Sequence, residues 1–406
     1  MKTVTPAPSS ALGRVLLFGL VACILYVLGA GIRGDIGILL MPIVEQTGLE
    51  YSSVSFCIAV MQLVFGAAQP LFGIMASRFS NRVVLILGAA VMALSLVGIA
   101  LSRDFLGLLI SLGFLFGIGG GALAFGLILT SATYLVGQQW SMIIAGMLNA
   151  SAGLGAFALS PALHSSVESQ GLQLTLWWLC IPVLLLIPLA VLVTSRDPKR
   201  QQDQELASGG HIFRRALNNR TYLLLIAGFS TCGFHMVIIE SHLFSQYIGY
   251  GIDAAKASWA FAFYGIATIF GALLSGFLSM KMNKGLLLGI YYSIRALLVV
   301  SFLFLLPKNF ESALFFSIVL GLTGDATVSP TAGLVSAHFK MRDVATLVGF
   351  LFFCHQIGAF FSAWLGGVLL EVTGGYTSVW MLDVALCVMA AVVSLMIPTH
   401  KLKALE

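Results

Sequence analysis

Residues 73–82 read Gly73-Ile-Met-Ala-Ser77-Arg78-Phe-Ser80-Asn-Arg82, and 203 positions later residues 276–284 read Gly276-Phe-Leu-Ser-Met280-Lys281-Met-Asn-Lys284. In each, a glycine closes an apolar run, bases and small polar residues follow, and a new apolar run begins. The spacing recurs well beyond this pair. Gly146 falls on Gly349, Gly155 on Gly358, Gly171 on Gly374 and Trp177 on Trp380. Since 203 is half of 406 residues, the chain reads as an ancient duplication. An apolar chain made of two similar halves points first to transport across a membrane.

Composition agrees. Hydrophobic residues make up 59% of the chain and charged ones 9%, with a mean hydropathy of +1.00, which a soluble domain could not carry without aggregating. A spanning helix needs about 20 apolar residues. Twelve such runs occur, near 12–43, 51–76, 83–102, 106–136, 140–165, 172–195, 221–249, 254–280, 285–306, 310–336, 343–370 and 376–397. Six fall on each side of the one long polar stretch. The expected domains are therefore an N-terminal six-helix bundle over 1–195, a linker over 196–220 and a C-terminal bundle over 221–406. Long unbroken apolar runs favour helices over barrel strands, which alternate and are about ten residues long. The expected fold class is an all-α integral membrane protein. The 43 glycines suit close helix packing in lipid, and the six cysteines, without a CxxC spacing, are expected as free thiols.

Charge orients the chain. With the N-terminus cytoplasmic, sixteen bases fall on inside segments (among them Arg78, Arg82, Arg214, Arg215, Lys281 and Lys284) against three outside, Arg103, Lys256 and Lys308. Both termini and the linker are then cytoplasmic. The net charge of +5 reflects this bias. Neither a basic stripe nor an aromatic platform for nucleic acid is present.

The 73–82 stretch resembles the G-x-L-A-D-R-x-G-R-R signature of the major facilitator superfamily. The resemblance extends over the whole chain through the twelve spans, the six-plus-six repeat and the central polar segment. It implies two six-helix bundles related by a pseudo-two-fold axis, with Gly73 and Gly276 allowing close helix approach. It also implies that Arg78, Arg82 and Lys281 take part in a gating charge relay. Ser77 and Met280 stand where the signature has its acid, so that relay is weaker or differently partnered. Within the superfamily, Gly31-Ile-Arg33-Gly-Asp35-Ile-Gly37 through Pro42, Gly324-Asp325-Ala-Thr327 through Pro330, and Cys354-His355-Gln356-Ile-Gly358 look like segments of bacterial monocarboxylate-transporter-like members.

Ionisable groups inside spans are costly and call for a partner or a role. Arg33 lies in a glycine-rich part of span 1, and its forked donors match a carboxylate. It is the first candidate for anchoring an anionic substrate, the alternative being a simple pair with Asp35 or Glu240. His355, Gln356 and Asn149 are further substrate-binding candidates. Asp325 and Glu240 are candidates for proton coupling, since burial and a nearby arginine pull a carboxyl's affinity for protons in opposite directions. Arg295, on span 9, is expected to play a structural role by pairing with Asp325, the alternative being that Asp325 titrates during transport and releases Arg295 to an anion. His235 and His242 are weaker candidates.

These readings converge on a secondary active transporter that moves a small organic anion, a monocarboxylate, with protons by alternating access. A proton-linked exporter of drugs or metabolites is the rival; a non-transporting sensor and a membrane-embedded enzyme are more remote. No cofactor or metal is expected. The chain is expected to work as a monomer in the inner membrane of a bacterium, with lipid as its solvent.

Overall fold

A computed structural model of the protein describes residues 9–197 and 209–398. Lys2, Lys199, Arg200, Lys401 and Lys403 of the basic set lie outside the described residues. Among these residues the secondary structure is helical throughout, and eleven segments are long and apolar enough to cross a membrane. One of them, Gln138–Val193, holds 56 residues. At about 1.5 Å per residue it would overrun a hydrocarbon core of about 30 Å more than twice. Gly171 (φ 80°, ψ 166°) breaks it, and Ser166 and Thr175 meet hydroxyl to hydroxyl at 3.0 Å across the turn. It is a helical hairpin, which makes twelve spans.

Span 1 comprises Ser9–Gly34 and Ile36–Thr47, span 2 Tyr51–Arg78, span 3 Asn81–Leu101 and span 4 Phe105–Val136. Spans 5 and 6 share Ser141–Val193. Spans 7 to 10 are Arg220–Gly249, Ala254–Lys281, Lys284–Phe304 and Phe310–His338. Span 11 is Met341–Thr373 and span 12 Thr377–Leu395. One apolar core draws on 15–193 with Val237, Ala359 and Ala363, and a second on 216–397 with Ile38 and Leu163.

The duplication is visible in the backbone. Gly48 (φ 70°) and Gly251 (φ 79°), like Gly171 (φ 80°) and Gly374 (φ 72°), lie 203 positions apart in the left-handed region, where a side chain is strained. Ser80 caps span 3 by accepting from the amide of Val83, and its repeat mate Asn283 caps span 9 by accepting from Leu286. Gly155 lets span 5 close on Val27 of span 1, and Gly358 lets span 11 close on Ser230 of span 7. A Cβ at Gly358 would run into the Ser230 carbonyl, which is fixed backbone. Gly358→Val should therefore force spans 7 and 11 apart, seen as loss of the monodisperse peak in size-exclusion chromatography, while Gly349→Ala, in open space, should leave it unchanged.

The helices of the two cores meet toward the end away from the basic residues. There Tyr51 Oη lies 2.9 Å from His242 Nδ1 and 3.1 Å from Tyr376 Oη, and the Ser52 amide donates to Glu371 Oε1 at 2.8 Å. Phe56 packs edge-on against Phe360 and Trp364. Gly367 lies against Ser55, and nearer the middle Gly153 against Gly265.

The basic end differs. Gly73, expected to permit close approach, has nothing within 4 Å of the place a Cβ would occupy, and Gly276 meets only Ser329 Oγ at 3.9 Å. Gly73 thus faces open space, and Gly276 makes one ordinary contact within its own half. Arg82 donates through Nε to Thr194 Oγ1 at 3.1 Å, tying span 3 to the end of span 6. Beside it Asn81 donates to Ser131 Oγ and Ser131 to Asp197 Oδ2, each at 2.9 Å. Burial lifts the Asp197 carboxyl above the usual range, opposed by the Ser131 and Asn81 donors and the Arg82 charge. An acid from the end of span 6 thus stands near Arg82, where the loop itself has Ser77. Arg78 and Lys281 are exposed, and Lys281 Nζ lies 4.4 Å over the Phe277 ring. The short helix Gly209–Leu217 is tied to span 11 by Arg215 Nη2 and Asp343 Oδ2, 2.5 Å apart.

Candidate substrate site

Four spans depart from regular helix near mid-length, and the polar groups gather there. Span 1 is interrupted at Asp35 and span 4 after Ala122. Span 7 widens into a π turn over Ile239–Leu243, and span 10 breaks at Gly324 into a single 3-10 turn, Asp325–Thr327. Such turns free backbone groups and redirect side chains, and they recur at functional sites.

At the centre, Arg33 Nη1 lies 3.1 Å from Glu240 Oε2 and donates to Gln62 Oε1 at 3.0 Å. Gln62 in turn donates from Nε2 to the same Glu240 oxygen at 3.2 Å. This triangle joins spans 1, 2 and 7 and hence both halves. The guanidinium also lies 4.8 Å over the Phe65 ring, a favourable contact for a cation. Among the described residues, only one terminal nitrogen of the fork is engaged. Nε is buried without a partner among the described residues.

Asp325 and His355 are close enough to sense the charges of Arg33 and Glu240. Asp325 is exposed and makes no side-chain hydrogen bond among the described residues. The His355 ring sits 5.1 Å from that of Phe229, and its Nδ1 is buried and unpaired. Gln356 presses its stem against Gly66 of span 2 and leaves Oε1 buried and unpaired. Asn149 is exposed one turn from Gly153. It is not bonded to the cluster.

The chain matches the Major Facilitator Superfamily over residues 20–308 and again over 242–405. The chain belongs to this superfamily. It is 27% identical over 391 residues to an uncharacterized MFS-type transporter, YcxA, of Bacillus subtilis (strain 168), covering 92% of this chain and 93% of that one. It is 20% identical over 328 residues to the MFS transporter asaE of Aspergillus flavus, covering 80% and 73%. Among solved structures it resembles a bacterial homolog of the human lysosomal transporter Spinster, in an inward-facing and unoccupied conformation, with a TM-score of 0.78, 16% identity and coverage of 96% and 98%. A D-xylose-proton symporter superposes with a TM-score of 0.74 at 15% identity, covering 95% and 98%. At these identities the structures attest the fold. The chain is an integral membrane transporter, and the enzyme alternative falls.

Within this major facilitator fold, one sequence expectation needs correction. Arg295 does not pair with Asp325. Its side chain is fully buried and donates through Nη2 to the carbonyls of Thr323 and Gly324, at 2.5 and 2.7 Å, and through Nη1 to Cys232 Sγ at 3.4 Å. The break in span 10 lies at the carbonyl end of the helix Phe310–Thr323, and the guanidinium donates to two of the carbonyls there. Of the two partners the sequence allowed Arg33, Asp35 and Glu240, the structure pairs it with Glu240.

Sequence reading also missed residues. Gln62 and Phe65 are a neutral amide and an aromatic in an apolar run, with no signal beyond their helical register. Asp383, overlooked in span 12, is fully buried, and its Oδ2 lies 2.7 Å from His235 Nδ1, with Cys387 Sγ 3.9 Å from each residue. This trio is the one metal-like grouping among the described residues. Two ligands at about 2.0–2.2 Å from a tetrahedral ion sit more than 3 Å apart. The short His235–Asp383 contact is therefore a hydrogen bond joining spans 7 and 12. His242 is also placed. Its Nε2 must donate to the Ala363 carbonyl at 3.0 Å, which leaves Nδ1 to accept from Tyr51.

Proposed function

We propose that this transporter is a secondary active carrier that moves a small organic anion, a monocarboxylate, together with a proton. The observation that carries this reading is the half-used fork of Arg33. One nitrogen holds Glu240, while the remaining donors make no bond among the described residues. A substrate carboxylate would meet two parallel donors on a residue that cannot lose its charge. It would compete with Glu240 for the same guanidinium. Protonation of Glu240 removes that competitor, so anion and proton bind together and the central charge stays balanced. His355, Gln356 and Asn149 supply hydrogen bonds to the rest of the substrate. Asp325 is a second candidate for carrying the coupled proton.

With the basic end on the cytoplasmic side, as the sixteen-to-three distribution of bases favours, the contacts around Tyr51, His242 and Tyr376 close the outer side. The conformation is then inward-facing, in the cytoplasmic membrane of a bacterium, with 1–195 and 221–406 rocking as two bodies about the site.

The test is uptake of labelled lactate, pyruvate and larger monocarboxylates into proteoliposomes under an imposed pH gradient. Glu240→Gln, a permanent mimic of the protonated acid, should retain counterflow exchange but lose accumulation driven by the gradient. Full gradient-driven accumulation by Glu240→Gln would remove Glu240 from the coupling role. The exposed, unpaired Asp325 favours one alternative, an exporter of cationic compounds, in which Arg33→Gln would leave export of a lipophilic cation intact.

A further inference from the structure

The break in span 1 turns on Asp35, whose side chain is fully buried and close to no cationic group that pairs with it among the described residues. Its Oδ1 lies 2.9 Å from Ser160 Oγ on span 5. That hydroxyl is also 2.7 Å from the Ala156 carbonyl, one turn back in its own helix. A serine hydroxyl has a single proton, and a carbonyl can only accept. If Ser160 donates to Ala156, the proton in the Ser160–Asp35 bond must come from Asp35. The other carboxyl oxygen, Oδ2, is buried without a partner. An ionised carboxylate left in that state would carry a desolvation cost that a neutral acid largely escapes.

We propose that Asp35 is a second proton-binding site of this transporter, held as the carboxylic acid against Ser160 while the outer ends are closed, and emptied when they part. The proposal extends the proton-coupled reading above to a residue that reading does not use. Asp35 has Arg33 on its own span. The elements packed against it bring Glu240 and His242 from span 7, His164 from span 5 and Tyr51 from span 2.

The same geometry indicates where the proton goes. Asp35 starts the helix Ile36–Thr47, and Gly37, two residues on, is packed directly against the carbonyls of Glu240 and Ser241. That contact belongs to the closed end. When spans 1 and 7 separate there, water reaches Asp35 from the outer side and the acid can ionise. Closing the end again requires a proton to be taken up from that side. Asp35 thus ties closure of the outer end to protonation, whether or not substrate is present.

The test is infrared spectroscopy of purified full-length protein in lipid, near neutral pH, without any substrate. Asp35→Asn should remove a C=O stretching band of a protonated carboxyl that Glu240→Gln retains, and Ser160→Ala should shift that band without abolishing it. Gly367→Trp, which wedges the outer ends apart at Ser55, should weaken the band and speed its exchange in deuterated water. A wild-type spectrum unchanged by Asp35→Asn, or a band unmoved by Ser160→Ala, overturns the assignment; a band insensitive to Gly367→Trp overturns the release step. Loss of the band on adding sodium at constant pH would reassign the site to that cation and overturn it too. Ser160→Ala decides the matter alone if Asp35→Asn does not fold. Because no substrate enters this readout, failure of carboxylate uptake leaves it standing, and its own failure leaves the Arg33–Glu240 reading untouched.

Discussion

Arg33→Gln is expected to bring carboxylate uptake into proteoliposomes down to the background of empty vesicles. Glutamine keeps a hydrogen bond for Gln62 and Glu240 but has neither the charge nor the fork. Truncating one side of a buried, hydrogen-bonded charge pair costs about 2–5 kcal/mol, roughly 30- to 4,000-fold in kcat/KM at about 1.4 kcal/mol per tenfold. Arg33→Lys separates charge from shape. Lysine offers a point charge without the planar fork, so it should retain uptake with a raised KM. Uptake of a labelled monocarboxylate by Arg33→Gln at wild-type rates would end the anion reading. Low uptake from a misfolded variant is recognised by its loss of the size-exclusion peak.

Arg295→Leu should produce the largest loss of stability. In the native protein the Arg295 fork caps two carbonyls at the end of the helix Phe310–Thr323, where the helix dipole is negative. Leucine removes the donor from both, at up to about 1–3 kcal/mol each. At roughly 2–4 °C per kcal/mol for a unit of 150–250 residues, the melting temperature should fall on the order of 10 °C. Replacing a buried charge by an apolar side chain can also stabilise, so the sign of the change is informative. An unchanged or raised melting temperature would mean that the break in span 10 holds its shape without the cap. Because the capped carbonyls immediately precede Asp325, the same variant should disturb any step that depends on that acid.

How much of this was legible in the sequence depends on the physics behind each feature. Spans are legible because lipid demands about 20 apolar residues per crossing, and even the turn at Gly171, where the helix runs on by hydrogen-bond pattern, was marked by its repeat mate Gly374. Arg33 and Glu240 stood out because a charge in an apolar run needs a reason. Gln62 did not, because one neutral amide in span 2 carries no such signal, and only the crossing of spans 1, 2 and 7 makes it the bridge. The pairing of Arg295 with Asp325 was a natural expectation from opposite charges on adjacent spans. It failed because the broken helix offers carbonyls that satisfy the guanidinium first, leaving Asp325 exposed. Tyr51 and Tyr376 are unremarkable in sequence, and His242 stood out only as a weaker candidate. They meet only because the two halves close on one another at that end.

The repeat itself divides the two kinds of information. By itself the sequence determined the duplicated scaffold, since left-handed glycines, helix caps and close crossings each demand particular residue types that recur 203 positions apart. Tertiary structure decided what the repeat is used for. Leu123 and Ala124, at the break in span 4, map onto Ala326 and Thr327 in the 3-10 turn of span 10, and Asp35 maps onto Ile238 beside the π turn of span 7. The irregular turns are thus shared by both halves, while Arg33, Glu240 and Asp325 each occur in one half alone. Partners among those groups come from spans far apart in the chain, and which donor reaches which acceptor is settled by how the spans cross, a relation that no periodicity along one helix encodes.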